Sequence, residues 1–290
     1  MPNLELVRKD DVSSFRKIAI GTWRHAYDPT VYGSLEFRME KALAYIEEFR
    51  QRTGKRLTIS HLMAKAVAMT LKEMPDANAV LRWNRIYLRK VIGVFFQVVM
   101  TDEGEGKADL SGATLYNVDQ LSVEQICDEF QAKVDKVRAR QDAALEKTRQ
   151  TFHSIPYLLL NKFLSVLSFF SYELNLDLRW AGIPSDPFGS VMITNVGSLG
   201  LDTAYVPLVP YSHVPLLLAL GAVKEAPVVE DGKIVVGKVM KVHATFDHRL
   251  IDGHHAAIMS RCLKRYLEDP FTNFGAIRGG EAQPVLAAVR

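Results

Sequence analysis

The stretch A-T-F-D-H-R-L-I-D-G-H-H, residues 244–255, holds three histidines and two aspartates in twelve positions. Three chemistries use such groups. A histidine at the end of a strand, beside a turn, is partly exposed with its ring orientation fixed, which suits a general base working near neutral pH. Asp252, four residues past His248 and followed by Gly253, can brace that turn or cap the next helix. A metal site is the rival, since His248, His254 and His255 with Asp247 or Asp252 supply enough ligand types. Against it, the adjacent His254 and His255 point apart on a helix, and no i, i+4 histidine pair occurs here. The bland reading is a polar turn before a helix. A Ser-His-Asp hydrolase has no support, because the chain has no G-x-S-x-G elbow.

The elements around this stretch must place it. A strand runs to Phe246, and a helix starts near His254, turning Ile258, Cys262, Tyr266 and Leu267 to one side until Pro270 stops it. Residues 34–52 have helical apolar spacing, with Ser34 as N-cap and Gly54 as stop, and residues 60–74 form a second helix ended by Pro75. Residues 85–100 read as two strands or one broken strand, and 102–107 as a turn. Residues 122–150 form a long charged helix, opened by a capping box of Ser122 and Gln125. Strand-like runs follow at 190–195, 215–223, 233–238 and 239–246. Mixed strands and helices without regular alternation predict an α+β fold, a single domain on one large mixed sheet.

Composition narrows the classes. With 290 residues and 48% hydrophobic content the chain can bury a full core, and a net charge of +3 with interspersed signs gives no nucleic-acid footprint. The densest basic run, Lys133–Arg140, fits the wet face of a helix. Two cysteines, Cys127 and Cys262, in helix-like runs predict a reducing compartment, and no signal peptide is visible, so the expectation is a cytoplasmic protein. The apolar segment 155–172 is interrupted by Asn161-Lys162 and closely followed by Glu173. It reads first as a helix buried in the core or between subunits, second as a peripheral membrane contact or a hydrophobic partner groove, and last as a membrane span.

F-D-H-R-L-I-D-G (246–253), continuing to L-K-R-Y-L-E-D-P (263–270), resembles the closing motif of the dihydrolipoamide acyltransferases, the catalytic cores of the 2-oxo acid dehydrogenase complexes. Its H-x-x-x-D-G core is shared with chloramphenicol acetyltransferase. Three further segments carry the resemblance: F-R-K-I-A (15–19), L-M-A-K-A-V-A-M-T-L-K-E-M-P-D-A-N (62–78), and V-M-I-T-N-V-G-S-L-G (191–200) with A-L-G-A (219–222). The resemblance implies a chloramphenicol acetyltransferase-like α+β fold, with a large mixed sheet flanked by helices, in a trimer. It implies a catalytic domain over 1–272 with an apolar insertion at about 148–188, and a tail at 273–290.

For the site, the resemblance implies that His248 is the general base and Thr194 the oxyanion donor. Asp252 would hold the loop through an arginine, for which Arg16 is the candidate, with Gly253 and Asn195 supporting the turns. The substrates would be coenzyme A, as acyl-CoA, and a lipoyl-type thiol, with no metal. His248 and Thr194 would meet between neighbouring subunits of a homotrimer that can build a larger shell. The chain departs from the pattern in lacking a lipoyl-type lysine turn and a linker, so on a stand-alone form either a lipoyl-domain or acyl-carrier protein acts in trans, or the donor is an acyl-CoA and the acceptor another group. It also lacks the usual G-L-x-x-P-V-I stretch on the coenzyme A path within 91–112, and no coenzyme A contacts are assigned. The alternative function is a non-catalytic or weakly catalytic self-assembling scaffold that keeps the trimeric core.

Overall fold

Apolar residues alternate between two faces along β7 (Val191–Asn195) and β8 (Leu216–Glu230), and this alternation divides the molecule into layers. Val191, Ile193, Leu216, Leu218 and Leu220 point to the main core. Met192, Leu217 and Ala219 point to a smaller cluster, packed by Phe95, Phe188, Val206 and Leu208. The structure, a computed structural model, describes residues 2–10, 29–101, 108–138 and 156–277.

Six strands form the central sheet in the order β2-β9-β8-β7-β5-β6, with β2 Thr30–Arg38, β5 Val94–Thr101, β6 Ala108–Leu115 and β9 Lys233–Asp247. The pairs β5–β7 and β7–β8 are parallel and the others antiparallel, so the sheet is mixed. A second sheet of three strands, β1 (Leu6–Arg8), β4 (Arg85–Arg89) and β3 (Ala79–Arg82), is separate from it. The large mixed sheet expected from the sequence is present, and the sequence reading does not anticipate the smaller one.

Helices α1 (Glu40–Thr53), α2 (Ile59–Glu73), α3 (Val123–Arg138) and α5 (Gly253–Glu268) supply the other half of the main core, through residues such as Phe49, Leu62, Val67, Ile126, Met259 and Leu267. Gly54, at φ 67, ends α1 with its N–H donating to Arg50 O. The Ser122 and Gln125 capping box forms at the start of α3. Residues 139–150 of the long charged helix lie outside the described residues.

Two expectations fail for physical reasons. Residues 34–38 are strand, not helix, because β2 pairs along its whole length with β9, from Thr30 opposite Asp247 to Arg38 opposite Val239. The runs 233–238 and 239–246 are one strand, and 215–223 continues to Glu230. Gly237 does not break the pairing: it makes room for Val228 and the Arg38 guanidinium, which a Cβ would approach to 2.7 and 3.0 Å.

The apolar segment forms α4 (Tyr157–Ser168) and a wider turn at Phe169–Glu173. Leu159 and Val166 are about half exposed, 52% and 54%, so α4 lies on the surface of this chain rather than in its core. Among the described residues no helix is long and apolar enough to cross a membrane.

Candidate active site

His248 is the first residue past β9, half-buried, with its backbone N–H donating to Pro29 O at 2.8 Å. The turn behind it is tight. Leu250 and Ile251 donate their N–H groups to Asp247 O at 3.0 and 2.9 Å, and both side chains are buried. Asp247 is held by Arg249, whose Nε lies 3.0 and 3.1 Å from the two carboxylate oxygens and whose Nη2 lies 2.7 Å from Oδ2. A bidentate pair of this kind fixes both side chains in one geometry. The Asp247 N–H donates to Pro215 O, tying the turn to the start of β8.

Asp252 closes the turn as the N-cap of α5. Its Oδ1 accepts the N–H groups of His254 and His255, each at 3.0 Å, and the His255 ring Nδ1 lies 2.7 Å from the same oxygen. Arg16, its expected partner, lies outside the described residues, as does the whole segment 15–19. A Cβ on Gly253 would meet nothing within 4 Å among the described residues, whose packing does not require glycine there. His254 is exposed. Among the described residues no group of three or more His, Cys, Asp or Glu side chains is arranged to hold a metal ion.

Thr194 sits on β7 beside Met192's row, on the face turned away from the main core. Register places it opposite Ala219 of β8, which is opposite His243 of β9. His248 lies five residues beyond His243. Two strand spacings of about 4.8 Å and five residues of about 3 Å each separate Thr194 from His248 by roughly 18 Å. Within one chain the two side chains do not meet.

Asn195 shapes the turn after Thr194. Its Oδ1 accepts the Ser198 N–H at 3.1 Å, its Nδ2 donates to Ser60 Oγ at 3.4 Å, and the Ser198 hydroxyl returns a bond to Asn195 O at 2.7 Å. The turn then presses on β8: a Cβ on Gly197 would come within 2.5 Å of the Gly221 carbonyl. The glycines of T-N-V-G and A-L-G-A are therefore partners in one close contact.

Sequence reasoning missed three groups near these residues. His243 is buried on Thr194's side of the sheet, its Nε2 3.2 Å from Asp202 O; strand pairing, which the chain does not spell out, brings it there. His255 engages Asp252 through its side chain. His213, ahead of β8, lies with Nε2 2.6 Å from Ser168 Oγ at the end of α4. Burial first, then the positive charges of Arg89 and Arg249, lower the His213 pKa to about 3. Arg249 is next in sequence to His248, so the insertion docks at the His248 end of the sheet.

A mixed sheet backed by helices, with an imidazole in the turn at one strand end and a hydroxyl two strands away, defines an acyltransferase-type α+β fold. The same fold occurs in chloramphenicol acetyltransferase, 16% identical, TM-score 0.53, over 91% of this chain and 100% of that one. It occurs again in the Azotobacter vinelandii dihydrolipoamide acetyltransferase, 22% identical, TM-score 0.61, over 91% of this chain and 93% of that one. The family model for 2-oxoacid dehydrogenases acyltransferase (catalytic domain) matches residues 9–153 and 188–274, and the chain belongs to that family. Among curated relatives, the mitochondrial succinyltransferase component of the Saccharomyces cerevisiae 2-oxoglutarate dehydrogenase complex is 25% identical over 232 residues, 80% of this chain and 40% of the relative. The chain spans less than half the length of the curated relatives it matches.

Proposed function

We propose that the chain is an acyltransferase that moves an acyl group between coenzyme A and a lipoyl-type thiol, with His248 and Thr194 meeting across the interface between two copies. The observation that carries this reading is their separation within one chain, roughly 18 Å by register. An imidazole and a hydroxyl so far apart complete one reaction centre only when a neighbour supplies one of them, as in a homotrimer. In further support, the catalytic mechanism of the A. vinelandii enzyme has been investigated at a serine, a histidine and an asparagine four positions after the histidine. This chain has a hydroxyl at Thr194, an imidazole at His248 and a carboxylate, Asp252, at that same spacing.

In the reaction, the His248 imidazole takes the proton from the attacking thiol. The thiolate adds to the thioester carbonyl, and the Thr194 hydroxyl donates a hydrogen bond to the oxyanion that forms. Collapse breaks the bond to the departing thiolate, which takes the proton back from the His248 imidazolium. The Asp247–Arg249 pair and the Asp252 cap hold the turn that carries His248. The family match skips 154–187; from this segment Ser168 meets His213 beside that turn, and α4 would wall the acyl group's side of the site.

Mixing two inactive variants tests the reading. His248→Ala and Thr194→Ala are purified separately, each assayed for exchange between acetyl-CoA and dihydrolipoamide, then dissociated and reassembled together. Shared sites pair one intact His248 with one intact Thr194, so the mixture should regain a substantial fraction of activity. No recovery in properly reassembled mixtures would sink the shared site. A native protein inactive with acetyl-, butyryl- and palmitoyl-CoA, yet assembled, would favour the scaffold instead.

A further inference from the structure

His255 looks from sequence like a residue that merely starts a helix, but its ring lies between two carboxylates and bonds one of them. Nδ1 lies 2.7 Å from Asp252 Oδ1, and Nε2 lies 3.8 Å from Asp76 Oδ2. Asp76 is in turn 2.5 Å from Lys9 Nζ. An ionised carboxylate only accepts, so the 2.7 Å contact places a hydrogen on Nδ1. The Asp252 N–H also approaches Nδ1, at 3.4 Å, but a protonated Nδ1 has no lone pair for it, and the shorter contact governs.

The position of this chain of groups gives it a consequence. Asp252 is the last residue of the turn that begins at His248, and its Oδ1 receives three donors at once. Asp76 belongs to the 3-10 turn Pro75–Ala77 that follows α2. The imidazole therefore holds the far end of the His248 turn and lies beside the end of another helix, with Asp76 3.8 Å away, beyond hydrogen-bonding distance. Helix capping alone needs only the two backbone N–H bonds.

We infer that His255 is a positioning residue for His248: its Nδ1–H fixes the Asp252 carboxylate and, through it, the turn that aims the His248 imidazole. This rests on the acyltransfer reading above.

Two amide substitutions separate the ring's two contacts. The Asn amide nitrogen falls near the position of Nδ1 and keeps the bond to Asp252, whereas the Gln amide nitrogen falls near Nε2 and reaches towards Asp76. His255→Ala, His255→Asn and His255→Gln are made in the full chain and checked for native assembly and melting temperature. Misplacing a catalytic group by about 1 Å can cost up to about 100-fold. We expect His255→Ala and His255→Gln to lower kcat by about ten-fold or more, with KM for acetyl-CoA within about two-fold, and His255→Asn to recover most of kcat. Imidazole ¹⁵N shifts of the native protein should show His255 protonated at Nδ1. Unchanged kcat in His255→Ala overturns the inference, as does a neutral Nε2–H tautomer, or equal losses in all three variants that track melting temperature. If exchange proceeds but does not depend on His248, the acyltransfer reading itself fails. A His248-dependent enzyme indifferent to His255 overturns only the present inference.

Discussion

A single hydroxyl on the outer face of β7 carries the greatest weight per atom in the proposed chemistry. Removing one oxyanion donor typically costs about 100- to 1000-fold in kcat. Thr194→Ala should show a loss of that order with KM little changed, while Thr194→Ser, which keeps the donor, should retain most of the rate. Steady-state exchange between acetyl-CoA and dihydrolipoamide measures both, and a Thr194→Ala variant as fast as the parent would remove the hydroxyl from the mechanism. The sequence makes part of this residue-level picture legible. His248 at a strand end and Asp252 ahead of a helix both follow from D-H-R-L-I-D-G, because turn and cap signals are local. The role of His255 is not legible, since nothing local in the sequence shows that its ring turns back to Asp252 Oδ1. Nor does the sequence reveal that His243 lies on Thr194's side of the sheet, because that depends on which strands pair.

Elements fix these residues through backbone contact as much as through side chains. The turn after Thr194 rests on β8 where Gly197 meets Gly221, and neither position has room for a methyl group: a Cβ on Gly221 would come 2.4 Å from Asp202 O. Because the obstructing atoms are backbone, a methyl there forces the strands apart instead of turning aside a side chain. Gly197→Ala should therefore destabilise the chain by about 1–3 kcal/mol, the usual cost of overpacking, and should reduce kcat by moving Thr194. Urea unfolding and the exchange assay check the two effects; a variant with parental midpoint and rate would show that the contact relaxes at no cost. Element reading from sequence worked where the signals were local, as for the Gly54 stop and the Ser122 box. It failed at 34–38, where Leu35 and Met39 keep helical spacing with the residues after them. There the nine-residue pairing with β9 outweighs propensity, with Phe37 fully buried against the core. The division at 238/239 fails because β9 pairs continuously with β2 and β8, and Gly237 inside it leaves room for the close approach of Arg38 and Val228.

Across the whole molecule, two buried histidines link stability to pH. His61, in the core beneath the rings of Phe96 and Phe130, is lowered from 6.5 to about 4, by burial first and then by Arg56. His213, between the insertion and the sheet, is lowered to about 3 by burial and the charges of Arg89 and Arg249. Both folded values lie below the unfolded one, so unfolding takes up protons wherever the pH lies between them. The stability these neutral rings contribute is therefore fully present above about pH 6.5 and is lost as pH falls towards the folded values, levelling off only near pH 3 to 4. Each shift amounts to a few kcal/mol in order of magnitude, enough to matter to a typical domain. Urea midpoints measured from pH 7.5 down to 4 should fall steadily below about 6.5. His213→Gln, which cannot take up the proton, should flatten part of that slope while leaving the His61 share. The same protonation would place a charge against Ser168 and beside Arg249, so acid should weaken the contact between the insertion and the sheet. Amide hydrogen exchange in α4 reads this directly: protection there should fall with pH in the parent and depend less on pH in His213→Gln. The same pH dependence of α4 exchange in both proteins, or an unchanged urea slope in His213→Gln, would mean that His213 is not what couples the insertion to the sheet.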